Sequence, residues 1–233
     1  MTDLDAPRPA LYRVADGRRG LGRLMTPDTA PAVVLTAIFI AVLVAEITAG
    51  GGAAWGLSGQ ALADGRWTVL GSHMFAHAGL GHLWMNSAAL LALTGPLMVR
   101  LGGVRSPGAW VRYGLLFGMS GLAGAIIFLA LHPFGQIPMV GASGAICGLW
   151  GAATRIGADG DMVPLRSSPV WTQIKAFLRM NLVLFALLFG LVWLSGGQGG
   201  LAWEAHLGGF LFGLFAMPRL VPILAPAPNP APA

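Results

Sequence analysis

The chain has 233 residues, of which 55% are hydrophobic and only 10% charged, with a mean hydropathy of +0.71. That balance excludes an ordinary soluble domain, in which roughly a quarter of the residues are charged, and marks a membrane protein. A single cysteine, Cys147, excludes an internal disulfide, and the formal net charge of +5 can be interpreted only once the basic residues are located.

In chain order, residues 1–30 are polar and basic and are expected to form a disordered cytoplasmic segment. Apolar runs long enough to cross a hydrocarbon core, about 20 residues for ~30 Å, then recur six times. They lie near 31–49, 82–99, 109–131, 139–155, 175–195 and 203–221. Arginines before the first run, Arg18 and Arg19 among them, give it some likeness to a signal peptide. Glu46 spoils a small-residue cleavage site, so the run is read as a spanning helix. Glu46 itself is expected at the interface, because deep placement would cost about 2.5–3.5 kcal/mol. Residues 222–233 are Pro/Ala-rich and are expected to form an unpacked tail. The pattern predicts an all-α polytopic membrane protein, a six-transmembrane-helix bundle over 31–221, with no second folded domain.

With the N-terminus inside, Arg8, Arg13, Arg18, Arg19, Arg23, Arg100, Arg105, Arg112, Arg155, Arg166, Lys175, Arg179 and Arg219 are all cytoplasmic. Arg66 alone falls outside, an asymmetry of 13 to 1 in the sense set by cationic loops that resist translocation. The charges are spread over short loops without an aromatic platform, which argues against nucleic acid as a partner. The second, fourth and sixth runs therefore all start at the external face. Their starts carry His82 and Asn86, Ser143, and His206 respectively, so these polar groups are expected to share one layer beneath the outer surface.

Serine becomes a nucleophile when a neighbouring base takes its proton, and histidine is the usual base. Ser143 and His206 supply the pair if the fourth and sixth helices approach closely. The residues permit it: Gly144, Gly148 and Ala152 repeat at four-residue spacing, and Gly209 and Gly213 form a GxxxG. Acyl transfer also needs donors for a developing oxyanion. His82 and Asn86, four residues apart, share one helix face, and the Ser143 amide at a helix N-terminus adds a third donor. Glu204 lies two positions from His206 and so on another face, which leaves a Ser–His dyad without an orienting carboxylate.

These residues resemble the rhomboid family of intramembrane serine proteases over roughly 31–221. The GxSG motif reads Gly141-Ala142-Ser143-Gly144, and HxxxxHxxxN runs from His77 through His82 to Asn86. AHxxGxxxG reads Ala205-His206, then Gly209 and Gly213. The resemblance implies Ser143 as nucleophile, His206 as general base, an oxyanion hole of His82, Asn86 and the Ser143 amide, and His77 as a structural hydrogen-bonder. It implies no metal or cofactor. It implies transmembrane protein substrates within the bilayer, admitted past the fifth helix and capped by the glycine-rich 195–200 turn. Three positions depart from the family: Arg66 precedes Trp67 where a Trp-Arg pair is frequent, Met98 stands for a frequent Glu, and Cys147 stands for a bulkier residue. Cys147 is read as an apolar filler.

Three other readings compete. His73, His77 and His82 could bind a metal or haem, although no carboxylate or second cysteine completes the shell. A small transporter would carry its polar residues at the midplane, whereas these sit at helix ends. A catalytically inactive relative would bind transmembrane clients without cutting them. The six-span build and the absence of a transit-type leader point to a prokaryotic cytoplasmic membrane. Nothing in the residues sets an oligomeric state.

Overall fold

The computed structural model describes residues 26–49, 52–158, 160–196 and 200–222. The expectations for residues 1–25, for 197–199 of the glycine-rich turn and for 223–233 lie outside the described residues.

The described residues form eight α-helices. A 3-10 turn, Pro27–Thr29, leads into α1 (Ala30–Ala49). The long loop after it holds two short helices, α2 (Gly59–Ala63) and α3 (Val69–Ser72). Then come α4 (Leu80–Leu101), α5 (Pro107–Leu131), α6 (Ser143–Ala153), α7 (Ser168–Ser195) and α8 (Trp203–Leu220). Six of the eight thus stand where spans were expected. Three segments, Pro27–Thr48, Pro107–Leu131 and Ser168–Ser195, are long and apolar enough to cross a membrane by themselves. The α4 and α8 helices have 22 and 18 residues, but His82, Asn86, Ser87 and Thr94 in one, and Glu204, His206 and Arg219 in the other, dilute their apolarity.

The fourth run corrects the expectation. Its helix covers 143–153 and not 139–155. Gly141 adopts φ +118, which a helix cannot contain, and Pro138 precedes it. At 1.5 Å per residue α6 is about 16 Å long, half a hydrocarbon core. The non-helical stretch before it needs partners for its backbone. It finds them in the long loop: Leu57 and Met139 exchange both hydrogen bonds, at 2.9 and 2.8 Å, and the Gly141 N–H donates to the His73 carbonyl at 2.8 Å. Below α6 the Arg155 guanidinium caps carbonyls of Val163 (2.9 Å) and Leu214 (3.1 Å). The fifth run is longer than expected, starting at Ser168, because Pro169 suits a first helical turn.

Helix α6 is the hub, enclosed by α4, α5 and α8 and packed most extensively on α8. Every residue from Gly144 to Leu149 is buried. The two backbones run side by side in the same direction: a Cβ at Gly209 would strike the Gly144 carbonyl, and one at Gly213 the Gly148 carbonyl. Helix α5 closes on the same seam, where a Cβ on its Gly124 would meet the Ala205 carbonyl at 2.6 Å and one on Gly148 of α6 would strike Ser120. The expected small-residue faces therefore do meet, as parts of a three-helix contact.

Helix α7 is attached differently. Its buried residues are Val170, Phe177 and Asn181, all in the half that follows Ser168. Phe177 stacks on Phe210 with centroids 3.9 Å apart, and Trp150 meets both edge-on. Beyond Asn181 the helix leaves Leu182, Leu187, Leu191, Trp193 and Leu194 exposed.

Replacement of Gly213 by Leu is expected to destabilise the fold by about 3 kcal/mol or more, the upper range of overpacking, because backbone and not a mobile side chain blocks it. Gly190 faces open space, so Gly190→Ala is expected to leave the thermal unfolding midpoint in detergent within a degree or two of wild type. Equal midpoints for both variants would contradict the close α6–α8 contact.

Candidate active site

Ser143 is the first residue of α6, and His206 lies in the opening turn of α8. The glycine contact sets the register that brings the opening turn of α8 to the start of α6, and His206 Nε2 lies 2.7 Å from Ser143 Oγ. The imidazole is buried. This is the distance at which a hydroxyl proton passes to a ring nitrogen.

The other ring nitrogen has a partner that the sequence reading missed. His206 Nδ1 is 2.6 Å from Oδ1 of Asn181, the last buried residue of α7. The Asn181 Nδ2 donates to the Phe177 carbonyl at 3.0 Å, one turn back in its own helix. The one asparagine of α7 was the available signal, but only the rotation of α7 reveals where it points. No carboxylate takes that place. Glu204 accepts from His132 Nε2 at 2.7 Å, on the far side of α8 from the site.

His82 and Asn86 stand on the α4 face that meets the segment before Ser143. A side chain at Gly141 would come within 2.7 Å of His82 Nε2 and 3.5 Å of Asn86 Nδ2. Glycine is therefore required at 141 twice over, by its φ of +118 and by this approach. The Ala78 N–H lies 3.5 Å from His82 Nδ1, a long contact, and Nε2 is the ring nitrogen beside Gly141. The Asn86 Nδ2 is buried and has no hydrogen-bond partner among the described residues, so a donor is held beside Gly141, two residues before Ser143.

His77 accounts for the back of this layer. Its Nδ1 lies 3.0 Å from the Phe75 carbonyl, and its ring packs against Phe39 at 4.8 Å and His82 at 5.2 Å. Its amide donates to Glu46 Oε2 at 3.4 Å. Glu46, expected at the interface, lies in the last turns of α1, turned inward and buried, with the His77 amide as the donor to one of its oxygens. His73 is engaged with the Val69 carbonyl at 2.9 Å. Among the described residues no three His, Cys, Asp or Glu side chains converge as a ligand set.

The rhomboid domain family matches residues 64–222. The chain belongs to the rhomboid family. It is 29% identical over 159 residues to the rhomboid protease GluP of Bacillus subtilis (strain 168), a match that covers 68% of this chain and 27% of that relative. The chain thus spans about a quarter of that relative's length. With its apolar helices, this rhomboid is an integral membrane protein.

The departures from the rhomboid pattern are absorbed by packing. Arg66 reaches the Ala54 carbonyl at 3.3 Å, so the long loop keeps an arginine anchor from the other side of Trp67. Met98 is fully buried in the main core. Cys147 is buried with Val170, Phe177, Phe210 and Leu214, as expected of a filler, and the aromatic surface near it comes from Phe177 and Phe210.

The loop histidines make stability depend on pH. Burial, with the neighbouring His82 as a second cause, pushes His77 from its ordinary value of 6.5 down to about 4, and burial also lowers His73. Both stay neutral in the folded chain while the unfolded chain protonates below about 6.5. Stability is therefore present above that pH and lost as pH falls toward 4. The melting temperature in detergent is expected to drop by several degrees between pH 7.5 and pH 4.5, and His77→Asn to reduce that drop. An unchanged dependence in the variant would remove His77 as its source.

Proposed function

We propose that this chain is a serine endopeptidase that cleaves peptide bonds in or near the transmembrane segments of other membrane proteins. The observation that carries the reading is the buried 2.7 Å contact between His206 Nε2 and Ser143 Oγ. Ser143 Oγ attacks the carbonyl carbon of the scissile bond while His206 Nε2 takes its proton. The tetrahedral oxyanion is received by His82 Nε2–H, Asn86 Nδ2 and the Ser143 amide. His206 then returns the proton to the leaving amine, and water attacks the acyl-enzyme by the same steps in reverse. Membership of the rhomboid family and the likeness to a relative named as a rhomboid protease support this assignment.

The substrate class follows from where the nucleophile sits. An 11-residue α6 leaves Ser143 below the end of the bundle, within reach of a chain that comes from the bilayer. An intact helix satisfies its own backbone in lipid, so the scissile segment is one that unwinds readily. The exposed apolar half of α7 supports lateral access along that helix. Basic residues at the other end, from Arg100 to Arg219, support a cytoplasmic placement of that end, and thus a site that opens to the external face. The bacterial relative supports a prokaryotic cytoplasmic membrane.

A serine-directed fluorophosphonate is expected to label the purified protein and not Ser143→Ala. With a cleavable transmembrane substrate, His206→Ala is expected to abolish turnover, and Asn86→Ala to lower it on the order of 10²-fold, the scale of one lost oxyanion donor. Absence of labelling and of cleavage in wild type, with clients still captured, would instead assign the inactive, client-binding reading.

A further inference from the structure

We infer that Asn181 is the positioning residue of the Ser143–His206 pair: its amide selects the histidine tautomer and fixes the ring plane. The inference rests on the protease reading and adds a third member, on a third helix, to its machinery.

The direction of each hydrogen bond follows from the one before it. The Phe177 carbonyl can only accept, so the Asn181 atom 3.0 Å from it is the donating Nδ2. The remaining atom, Oδ1, then faces His206 Nδ1 at 2.6 Å. An amide oxygen only accepts, so Nδ1 carries the ring proton. A neutral imidazole has one proton, which leaves Nε2 with its lone pair toward Ser143 Oγ at 2.7 Å. This is the tautomer that a general base needs. The reversed amide would set Oδ1 against the Phe177 carbonyl oxygen and present a donor to Nδ1; Nε2 would then hold the proton and could accept nothing from serine.

The amide is also held. Phe177, one turn before Asn181, is stacked on Phe210, one turn after His206. The hydrogen bond and the aromatic stack thus join the same two helices at successive levels. Glu204 and Glu46, the acidic residues closest to the layer in the chain, are committed to His132 and to the His77 amide. The orienting group is therefore neutral: it fixes direction and supplies no charge to hold the imidazolium. A buried asparagine that served packing alone would donate and accept anywhere along α7; this one is aimed at the nitrogen whose protonation decides whether Ser143 can be activated.

The test compares wild type, Asn181→Leu and Asn181→Asp as full-length protein in proteoliposomes, with a cleavable transmembrane substrate followed across pH 5–9. Asn181→Leu is expected to lower kcat on the order of 10²-fold, the low end of what a positioned base contributes, with KM unchanged. Asn181→Asp keeps the acceptor, so turnover near pH 8 is expected to stay within a few-fold of wild type. Its added charge holds the imidazolium, so activity is expected to fall away at a higher pH on the acid side. His82, the other titratable group acting on the ring, is the same in all three proteins. Full turnover in Asn181→Leu, or a wild-type pH profile in Asn181→Asp, overturns the positioning role. If Asn181→Leu does not fold, the Asn181→Asp profile decides alone. A wild type that neither cleaves nor reacts with the fluorophosphonate overturns the protease reading itself.

Discussion

The architecture depends on two backbones lying almost in contact. Gly209 against the Gly144 carbonyl and Gly213 against the Gly148 carbonyl are one turn apart on each helix, so α6 and α8 are locked in parallel at a single register. In a bilayer no hydrophobic force distinguishes helix from lipid, and close packing decides association. Once that register is set, Ser143 and His206 have little freedom left. Ser143 begins α6 and His206 lies in the opening turn of α8, and the register brings their side chains together.

The same register has an electrostatic result. With His82 and Asn86 of α4 against the segment before Ser143, the site gathers at the N-terminal end of α6, whose first amides have no partner within the helix. Their partial positive charges point at the place where a tetrahedral intermediate would carry its negative one. His82 and Asn86 extend that field through side chains. Behind them the polar row continues through His77 to Glu46, enclosed by Phe39. A carboxylate in such surroundings is costly unless donors face it. It has one in the His77 amide. The layer is thus only partly paired: the His77 amide meets one Glu46 oxygen, while Glu46 Oε1, His77 Nε2 and Asn86 Nδ2 are buried without a hydrogen-bond partner among the described residues.

Much of this was legible in the residues because membrane helices restrict what polar groups and glycines can mean. Ser143, His206, His82 and Asn86 stand out against apolar neighbours, and the four-residue glycine spacing announces which faces touch. The parts not legible depend on geometry that composition does not encode. The apolar run from 139 hides the break at Gly141, because hydropathy is blind to a positive φ. Ser120 and Gly124 on α5 look like ordinary small residues until the third helix is seen to share the contact. Glu46 reads only as a carboxylate kept to the interface, because its donor is a backbone amide 31 residues away. Asn181 reads as one more polar residue in a long span, and its partner depends on how α7 is turned.

The uneven attachment of α7 makes it a lever. Its fulcrum is the Phe177–Phe210 stack, its short arm ends at Asn181 and its long arm at Trp193. With a rise of 1.5 Å per residue the arms are about 6 and 24 Å, so a tilt of about 10° swings the far end by roughly 4 Å and Asn181 by roughly 1 Å. Four ångströms parts neighbouring helices by nearly the width of an extended chain. One ångström is enough to stretch a 2.6 Å hydrogen bond past its useful range. On the protease reading proposed above, a motion of α7 that admitted a chain from the side would also unlatch the imidazole, and the histidine would be set for chemistry only once the helix had swung back.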